Sequence, residues 1–491
     1  MKFSQLLEQV EGTYLQTSDP QITGVTYDSR RVEPGYLFVC IPGLKTDGHL
    51  FAEQALAKGA CALITERSLT APADTAVFQV PDARKALALT AGNFYNHPSR
   101  HLKVIGVTGT NGKTTVTHLL QSILSSAGHK TGILGTLYAK IGDNIRDLGH
   151  TTPEAPDIEA FLADCLRAGA EYVVMEVSSH ALAFARTAAL AFHAAVFTNL
   201  TQDHLDYHQN MEDYLTAKLL LFRQVQQLPG SYCVVNQDDE HAEAFIKAAA
   251  VPAVTYGRQP GTVVRAADIR YDLSGSSFTL NYKEKSYPVN LQLIGNFSVY
   301  NALAALAVLL TEKLPPEIIT QAISRIQGVP GRFEAVRAGQ DFSVVVDYAH
   351  TPDGLLNILQ TARHLTAGSV ITVFGCGGDR DPGKRPKMGR IAEIYSDYFI
   401  ITSDNPRSED QLAIIKAVES GLADPHSAAY MCEPDRSSAI RSAVDRAQTG
   451  DIVVIAGKGH ETYQLFKDRK IDFDDRAVAL KWLKKRLGNE S

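Results

Sequence analysis

The residues with the plainest chemical purpose are Gly106-Val107-Thr108-Gly109-Thr110-Asn111-Gly112-Lys113-Thr114-Thr115. The apolar run Leu102-Lys103-Val104-Ile105 leads into them, and Val116, Leu119, Leu120, Ile123 and Leu124 follow at helical spacing. Strand, loop of small residues and helix, in that order, make a phosphate-binding loop. Glycines let backbone N–H groups turn onto phosphate oxygens, and the helix N-terminus adds a positive field. Gly109, Thr110, Asn111, Gly112 and Thr115 belong to the cradle, Lys113 reaches the β- and γ-phosphates, and Thr114 holds Mg²⁺. The common pattern has glycine five residues before Gly112, where this chain has Val107. Gly-Lys-Thr at a strand–helix junction nevertheless predicts ATP binding.

Later apolar runs also end in groups that do chemistry. Tyr172-Val173-Val174-Met175 runs into Glu176-Val177-Ser178-Ser179-His180, and Ala194-Ala195-Val196-Phe197 into Thr198-Asn199-Leu200-Thr201-Gln202-Asp203-His204-Leu205-Asp206. Cys233-Val234-Val235 is followed by Asn236-Gln237-Asp238-Asp239. In open parallel sheets ligands gather at the carboxyl ends of strands, so these groups are expected on one edge with the phosphate loop. Glu176 and His204 are the candidates for a second cation site beside Thr114. His180 and His208 read as structural or substrate-shell residues. Lys218 stands in the otherwise apolar helical run Leu215-Thr216-Ala217-Lys218-Leu219-Leu220. It could snorkel from a helix face, pair with an acidic metal site, or be covalently changed, and residue chemistry alone leaves these open.

A second series begins near residue 333. Its apolar runs end in Asp347-Tyr348-Ala349-His350-Thr351-Pro352-Asp353, Gly375-Cys376-Gly377-Gly378-Asp379-Arg380-Asp381, Ser403-Asp404-Asn405-Pro406-Arg407 and Gly457-Lys458-Gly459-His460-Glu461. Arg380 occupies the last position a dinucleotide fingerprint would need as glycine, so NAD is not expected. Arg380, Arg407 and Lys458 make this rim cationic, which suits a carboxylate-bearing substrate; surface ion pairing is the competing reading.

The elements that carry these groups define an α/β protein of three domains. Residues 1–98 mix short strands and a helix, with polar loops at Tyr27-Asp28-Ser29-Arg30-Arg31 and Asp47-Gly48-His49 that serve as turns or as a binding surface. Residues 99–332 alternate strand and helix, which predicts a mostly parallel sheet covered on both faces. Within them residues 262–294 change character: Ser277 to Tyr282 and Tyr287 to Leu293 alternate polar and apolar around Lys283-Glu284-Lys285 and read as an inserted antiparallel hairpin. Residues 333–491 form a second doubly wound, Rossmann-like domain. A chain of 491 residues exceeds what one core supports. The formal charge of −6 argues against a general nucleic-acid or anionic-membrane binder. The N-terminus lacks the apolar core of a signal peptide, no apolar run approaches the ~20 residues of a membrane span, and six unpaired-looking cysteines fit reduced thiols. A cytoplasmic location and a monomer are expected. With no Cys/His or Ser/His nucleophile pattern, two facing α/β domains point to phosphoryl transfer onto a carboxylate, then attack by an amine.

Four stretches carry a family resemblance: Thr108-Gly109-Thr110-Asn111-Gly112-Lys113-Thr114, Glu176-Val177-Ser178-Ser179-His180, Asn199 to Asp206, and Tyr214-Leu215-Thr216-Ala217-Lys218. They resemble the Mur ligases, the amide-forming enzymes of peptidoglycan synthesis, whose loop also lacks the first glycine. Asp347 to Asp353, Gly375 to Pro386 and Gly457 to Glu461 resemble the member that adds a diamino acid to UDP-N-acetylmuramoyl-L-alanyl-D-glutamate. The resemblance implies an N-terminal UDP-sugar domain with Ser29 at the uridine end, a central ATP-binding domain and a C-terminal amino-acid domain. It implies muramoyl-peptide contacts at Thr151, Thr152, Ser178 and Arg186, and nucleotide contacts at Asn301, Arg332 and Asp347. Glu176 and His204 match magnesium ligands, and Lys218 matches a lysine carried as a carbamate. Arg380, Asn405, Gly457 and Glu461 match positions around the amino acid, and Asp404-Asn405-Pro406-Arg407 matches members that use meso-diaminopimelate. The physical reason is that Arg407 can pair with a distal carboxylate that lysine lacks, and would repel lysine's ammonium. A lysine-adding ligase, a folylpolyglutamate-synthase-like ligase and a non-catalytic ATP-binding sensor of precursors are the other readings.

Overall fold

The computed structural model describes residues 1–43 and 46–488. Its strands, in chain order, are β1 (Thr13–Gln16), β2 (Gly24–Thr26), β3 (Tyr36–Val39), β4 (Ala62–Thr65), β5 (Ala76–Gln79), β6 (Lys103–Thr108), β7 (Thr131–Leu134), β8 (Ala139–Ile141) and β9 (Asn144–Arg146). Then follow β10 (Tyr172–Glu176), β11 (Phe192–Phe197), β12 (Tyr232–Asn236), β13 (Ala253–Gly257), β14 (Val264–Asp272), β15 (Gly275–Tyr282) and β16 (Lys285–Leu291). The last are β17 (Glu334–Ala335), β18 (Ser343–Asp347), β19 (Val370–Phe374), β20 (Tyr398–Ile401), β21 (Tyr430–Cys432), β22 (Ile452–Ala456), β23 (Tyr463–Leu465) and β24 (Lys470–Asp472). They build a five-stranded sheet ordered β1-β5-β4-β3-β2, an eleven-stranded sheet, a six-stranded sheet and a two-stranded ribbon. The α/β, parallel-rich architecture expected from the sequence is what the chain adopts.

In the large sheet the order β12-β11-β6-β10-β7 is parallel throughout, so every strand whose end was read as polar delivers it to the same edge. These strands are buried on both faces and therefore run almost wholly apolar, as in Val104, Ile105 and Val107. That burial is why position 107 tolerates valine: it lies in the core of β6, before the loop turns. The helix Asn296–Thr311 is apolar on every side, and residues 302–309 are fully buried between the helix Lys113–Ser126 and the sheet.

The antiparallel segment differs from its expected place. The turn Lys283-Glu284 lies in left-handed backbone, with φ of 47° and 63°, as a tight hairpin requires. The hairpin is no separate insertion, because β14 pairs in parallel with β13 and the meander β14–β16 prolongs the main sheet. Val264, Phe278, Leu280, Val289 and Leu291 bury against the same core as the phosphate-loop helix, and this burial draws the segment onto the sheet.

The six-stranded sheet runs β17-β18-β22-β19-β20-β21, with β18 through β21 parallel and only β17 reversed. Its core takes in Ile294 and Phe297, which precede and begin the helix Asn296–Thr311, so it is anchored to the central sheet by side-chain packing. Among the described residues no helix is long and apolar enough to cross a membrane.

Candidate active site

The phosphate loop is braced by the chain that follows β11. Thr110 N donates to Asn199 O at 2.9 Å, Asn111 N to Asn199 Oδ1 at 2.9 Å, and Thr198 Oγ1 to Asn111 O at 2.6 Å. Two glycines are demanded by this fit. Gly109 has φ 148°, and a Cβ there would stand 1.8 Å from Thr198 Oγ1; Gly112 has φ 89°, and its Cβ would stand 2.3 Å from Asn301 Oδ1. Asn301, a predicted nucleotide contact, is thus seated directly on the loop. Lys113 Nζ donates to Gly109 O at 2.8 Å and Thr110 O at 2.9 Å, and Lys218 Nζ reaches the same Gly109 carbonyl at 2.9 Å. Burial lowers the affinity of Lys113 for its proton, opposed by nearby Glu176 and Asp203. Burial, reinforced by the Lys113 charge, pushes Lys218 well below the ordinary lysine range and favours its neutral, nucleophilic amine.

Glu176 ends β10 and is fully buried, yet its carboxylate is satisfied: it accepts from Thr136 N at 2.8 Å, Thr136 Oγ1 at 3.1 Å and Thr114 Oγ1 at 3.0 Å. Arg332 approaches from the linker to the C-terminal sheet and donates from Nη2 to Thr114 Oγ1 at 3.0 Å, its guanidinium 4.6 Å from the Tyr348 ring centroid. Arg332 Nε is buried without a partner among the described residues, a donor suited to an anion. His204 sits at φ 58° with its backbone N–H on Asp203 Oδ1, and burial holds its ring well below the usual histidine range. A neutral imidazole is the form that can ligate a cation.

Among the described residues no three His, Cys, Asp or Glu side chains converge as a ready-made cation cage. One threonine hydroxyl, one carboxylate and a neutral imidazole nonetheless fit Mg²⁺. That ion keeps several waters and phosphate oxygens, so one carboxylate with a few neutral donors beside it is enough.

Along one wall Thr152 Oγ1 donates to Glu176 O at 2.8 Å and accepts from Ser178 N at 3.1 Å, while Thr151 and Thr136 hydroxyls lie 2.9 Å apart. Arg186 donates to Thr152 O at 2.8 Å and pairs with Glu154 at 2.7 Å. Ser178 Oγ caps the short helix Ser179–Ala183 through Ala181 N. His180 packs its ring 4.8 Å from that of His204, with its pKa pushed down to about 4 by burial, and His208 bonds Ser179 Oγ at 3.0 Å. A single cavity of about 1130 Å³ is lined by the phosphate loop, Glu176, His204, Lys218, Arg186, Asn301 and, from the C-terminal side, Arg380. Ser29 lies outside that lining, buried and bonded to Gln54 Oε1 at 2.8 Å. Asp347 lines the cavity, but its two oxygens accept from Phe333 N and Ala349 N, both at 2.7 Å, so it shapes the linker.

The C-terminal rim forms a second polar cluster. Asn405 Nδ2 donates to Glu461 Oε2 at 2.8 Å, its Oδ1 accepts from Leu465 N at 2.9 Å and Lys458 Nζ at 3.2 Å, and Lys458 pairs with Glu461 at 2.9 Å. Arg407 is held in left-handed backbone, φ 54°, and donates from Nη1 to Gly378 O at 2.8 Å. Arg380 is exposed and donates to Asp379 O at 2.8 Å. Gly457, at φ 116°, leaves room for Asp404, whose Oδ2 would lie 2.7 Å from a Cβ. Burial works against the charge of Asp404, yet Lys458, Arg436 and Arg407 hold its carboxyl below the usual range.

Several residues that join the two rims had no assigned role in the sequence. Asp203 is buried and faces His350 Nε2 and Lys384 Nζ of the C-terminal side, each at 3.7 Å; Gln202 bonds Asp381 at 3.1 Å, and Asn111 bonds Asp353 at 2.8 Å. Thr136, which orients Glu176, follows β7 and falls under the same strand-end rule that singled out Glu176.

Residues 21–95 match the Mur ligase family catalytic domain, residues 107–309 the Mur ligase middle domain, and residues 331–459 the Mur ligase glutamate ligase domain. The chain is 54% identical over 466 residues to the UDP-N-acetylmuramoyl-L-alanyl-D-glutamate--2,6-diaminopimelate ligase of Syntrophomonas wolfei subsp. wolfei, covering 95% of each. It is 45% identical over 496 residues to the protein of the same name from Listeria monocytogenes serotype 4b, covering 99% of this chain and 100% of that one. A solved structure bearing that enzyme name superposes with a TM-score of 0.67 at 35% identity, over 95% of each chain.

Proposed function

The chain belongs to the Mur ligase family, and from that premise we propose that it joins meso-2,6-diaminopimelate to UDP-N-acetylmuramoyl-L-alanyl-D-glutamate at the expense of ATP, for peptidoglycan synthesis. The observation that carries the reading is one cavity lined by a phosphate loop, the Thr151-Thr152-Arg186 wall and Arg380 of the opposing rim. The three regions take separate tasks: residues 1–98 hold the UDP-sugar with Ser29 at its uridine end, 99–332 hold ATP, and 333–491 hold the amino acid.

A carboxylate oxygen of D-glutamate attacks the γ-phosphorus, the bond to the β-phosphate oxygen breaks, and ADP leaves. The amine then attacks the acyl carbon; the C–N bond forms, phosphate departs with the C–O electron pair, and the ammonium proton is released. Lys113 and Arg332 offset the negative charge that gathers when carboxylate meets phosphate. Thr114, Glu176 and His204 are the residues that would hold Mg²⁺, which when bound neutralises phosphate charge. Lys218, with its depressed proton affinity, is suited to react with CO₂, giving a carbamate that supplies an anion where the bare side chain supplies a cation. Arg407, Asn405 and Glu461 grip the amino acid, with Arg407 on the distal carboxylate.

The test is ADP release by the purified chain with ATP and the muramoyl dipeptide, with and without diaminopimelate. Strict dependence on both substrates is expected. Turnover without the amino acid, or lysine incorporated faster, would sink the reading.

A further inference from the structure

Among the described residues the largest fully buried side chain is a charged one, Arg436. It stands at the start of the helix Arg436–Arg446 and pairs with Asp475 at the start of the helix Asp475–Arg486. The pair is bidentate, Nε to Oδ1 and Nη2 to Oδ2 both at 2.7 Å, and neither side chain has any solvent exposure. The remaining donors go to two backbone carbonyls: Nη2 to Ala456 O at 2.9 Å and Nη1 to Ser403 O at 3.3 Å.

Those carbonyls occupy particular places. Ser403 immediately precedes Asp404-Asn405-Pro406-Arg407, and Ala456 ends β22 immediately before Gly457-Lys458. β20 and β22 are not neighbours, because β19 lies between them. The contact between Asn405 and Glu461 therefore requires two chain segments that leave non-adjacent strands to converge, and Arg436 bonds both. Gln464 Nε2 adds a bond to Asp404 O at 3.0 Å.

Stability alone does not account for such a pair. Desolvating two charges offsets most of their attraction, and replacing a buried pair with apolar residues of similar volume is often neutral or stabilising. What an apolar pair cannot do is fix two carbonyls at a set separation. Building on the diaminopimelate ligase reading, we infer that Arg436, locked by Asp475, is a positioning residue for amino-acid selection. It sets the spacing between the Asn405–Arg407 loop and Glu461 so that one amino acid can be held at both ends. Asp404, whose charge Arg436 also helps to keep, belongs to the same unit.

The experiment compares wild type with Arg436→Lys, Asp475→Asn and the double variant Arg436→Met/Asp475→Leu, measuring KM for diaminopimelate, ATP and the muramoyl dipeptide, the kcat/KM ratio of diaminopimelate to lysine, and thermal melting. A misplacement of about 1 Å is enough for large kinetic losses. We expect KM for diaminopimelate to rise about tenfold or more and the selectivity ratio to fall, with KM for ATP nearly unchanged. The double variant should show the same defect while melting near wild type. A folded double variant with unaltered KM and selectivity would overturn the inference, as would a parallel rise in all three KM values. Should wild type accept another amino acid instead, the functional reading fails by itself, and the role of Arg436 is read on the KM of that amino acid.

Discussion

At the central rim Lys113 and Lys218 give their hydrogen bonds to the carbonyls of Gly109 and Thr110, and neither makes an ion pair among the described residues. At the C-terminal rim Lys458 lies 2.9 Å from Glu461, and Arg436 lies 2.7 Å from Asp475. Both rims are the carboxyl edges of parallel sheets, and both gather cations in low dielectric. The difference is in what completes them. Backbone carbonyls carry only partial charge, so Lys113 keeps most of its positive field for an anion that arrives, while burial favours the neutral amine of Lys218, the form that can take up CO₂. At the C-terminal rim the compensation of Lys458 and Arg436 is built in, and Arg407, which donates to the Gly378 carbonyl, keeps its charge beside that paired set of donors and acceptors. That suits a zwitterionic amino acid, which brings both signs and little net charge.

Removing the central lysine whose neutral form burial most favours should be the harshest break in this contrast. Lys218→Ala is expected to lower kcat by about 10²–10³-fold, the usual loss when one preorganised charge is removed from a reacting centre. Wild-type activity should fall in CO₂-depleted buffer and return on adding bicarbonate; activity indifferent to CO₂ would reject the carbamate. At the other rim Arg407→Ala should act on one substrate only. Losing a bidentate charge-assisted pair worth about 2–3 kcal/mol raises KM for diaminopimelate by roughly 30–150-fold and leaves ATP alone. A matching loss with ATP would show that the two rims are not separable.

How far the sequence foretells these rims depends on whether a residue obeys a local rule. Glu176, Asn199, Asp347 and Asn405 each follow a buried apolar run, and the strand-end rule places them without any knowledge of tertiary contacts. The hairpin β15–β16 was legible as antiparallel strands, but β14 and its parallel attachment to β13 were not, because burial against the core of the central sheet, and no local alternation signal, draws the segment into place. Arg436 was invisible. Asp435-Arg436-Ser437-Ser438 reads as an ordinary helix start, with Asp435 accepting from Ser438 N, and nothing local marks the arginine as buried. Its partner is 39 positions on, at another helix start of the same appearance. The Asp203 hub was hidden for a related reason: the groups that surround it, His350 and Lys384, come from the other sheet.

Glu159 tests whether compensation is a requirement everywhere or a property of the rims. It is fully buried on the helix Ala155–Arg167, which packs against the helix Ala83–Phe94 and the turn Pro98–His101, and neither carboxyl oxygen has a partner among the described residues. Burial pushes its pKa up to about 8, with Arg100 the charge that opposes. An unfolded glutamate titrates near ~4.3, so between that value and about 8 the folded chain holds a proton that the unfolded chain has lost. Stability from this group is therefore full at low pH and declines as pH rises through the window, by about 1.4 kcal/mol per unit at most. Glu159→Gln removes the titrating proton and keeps the shape. Turnover should hardly change, since the residue lies away from both rims, but the variant should gain stability over wild type by a few kcal/mol between pH 5 and pH 8. Urea unfolding at several pH values reads this directly. Parallel stability curves would mean that Glu159 finds compensation in solution, and that full pairing of buried charge extends through the molecule outside the central rim.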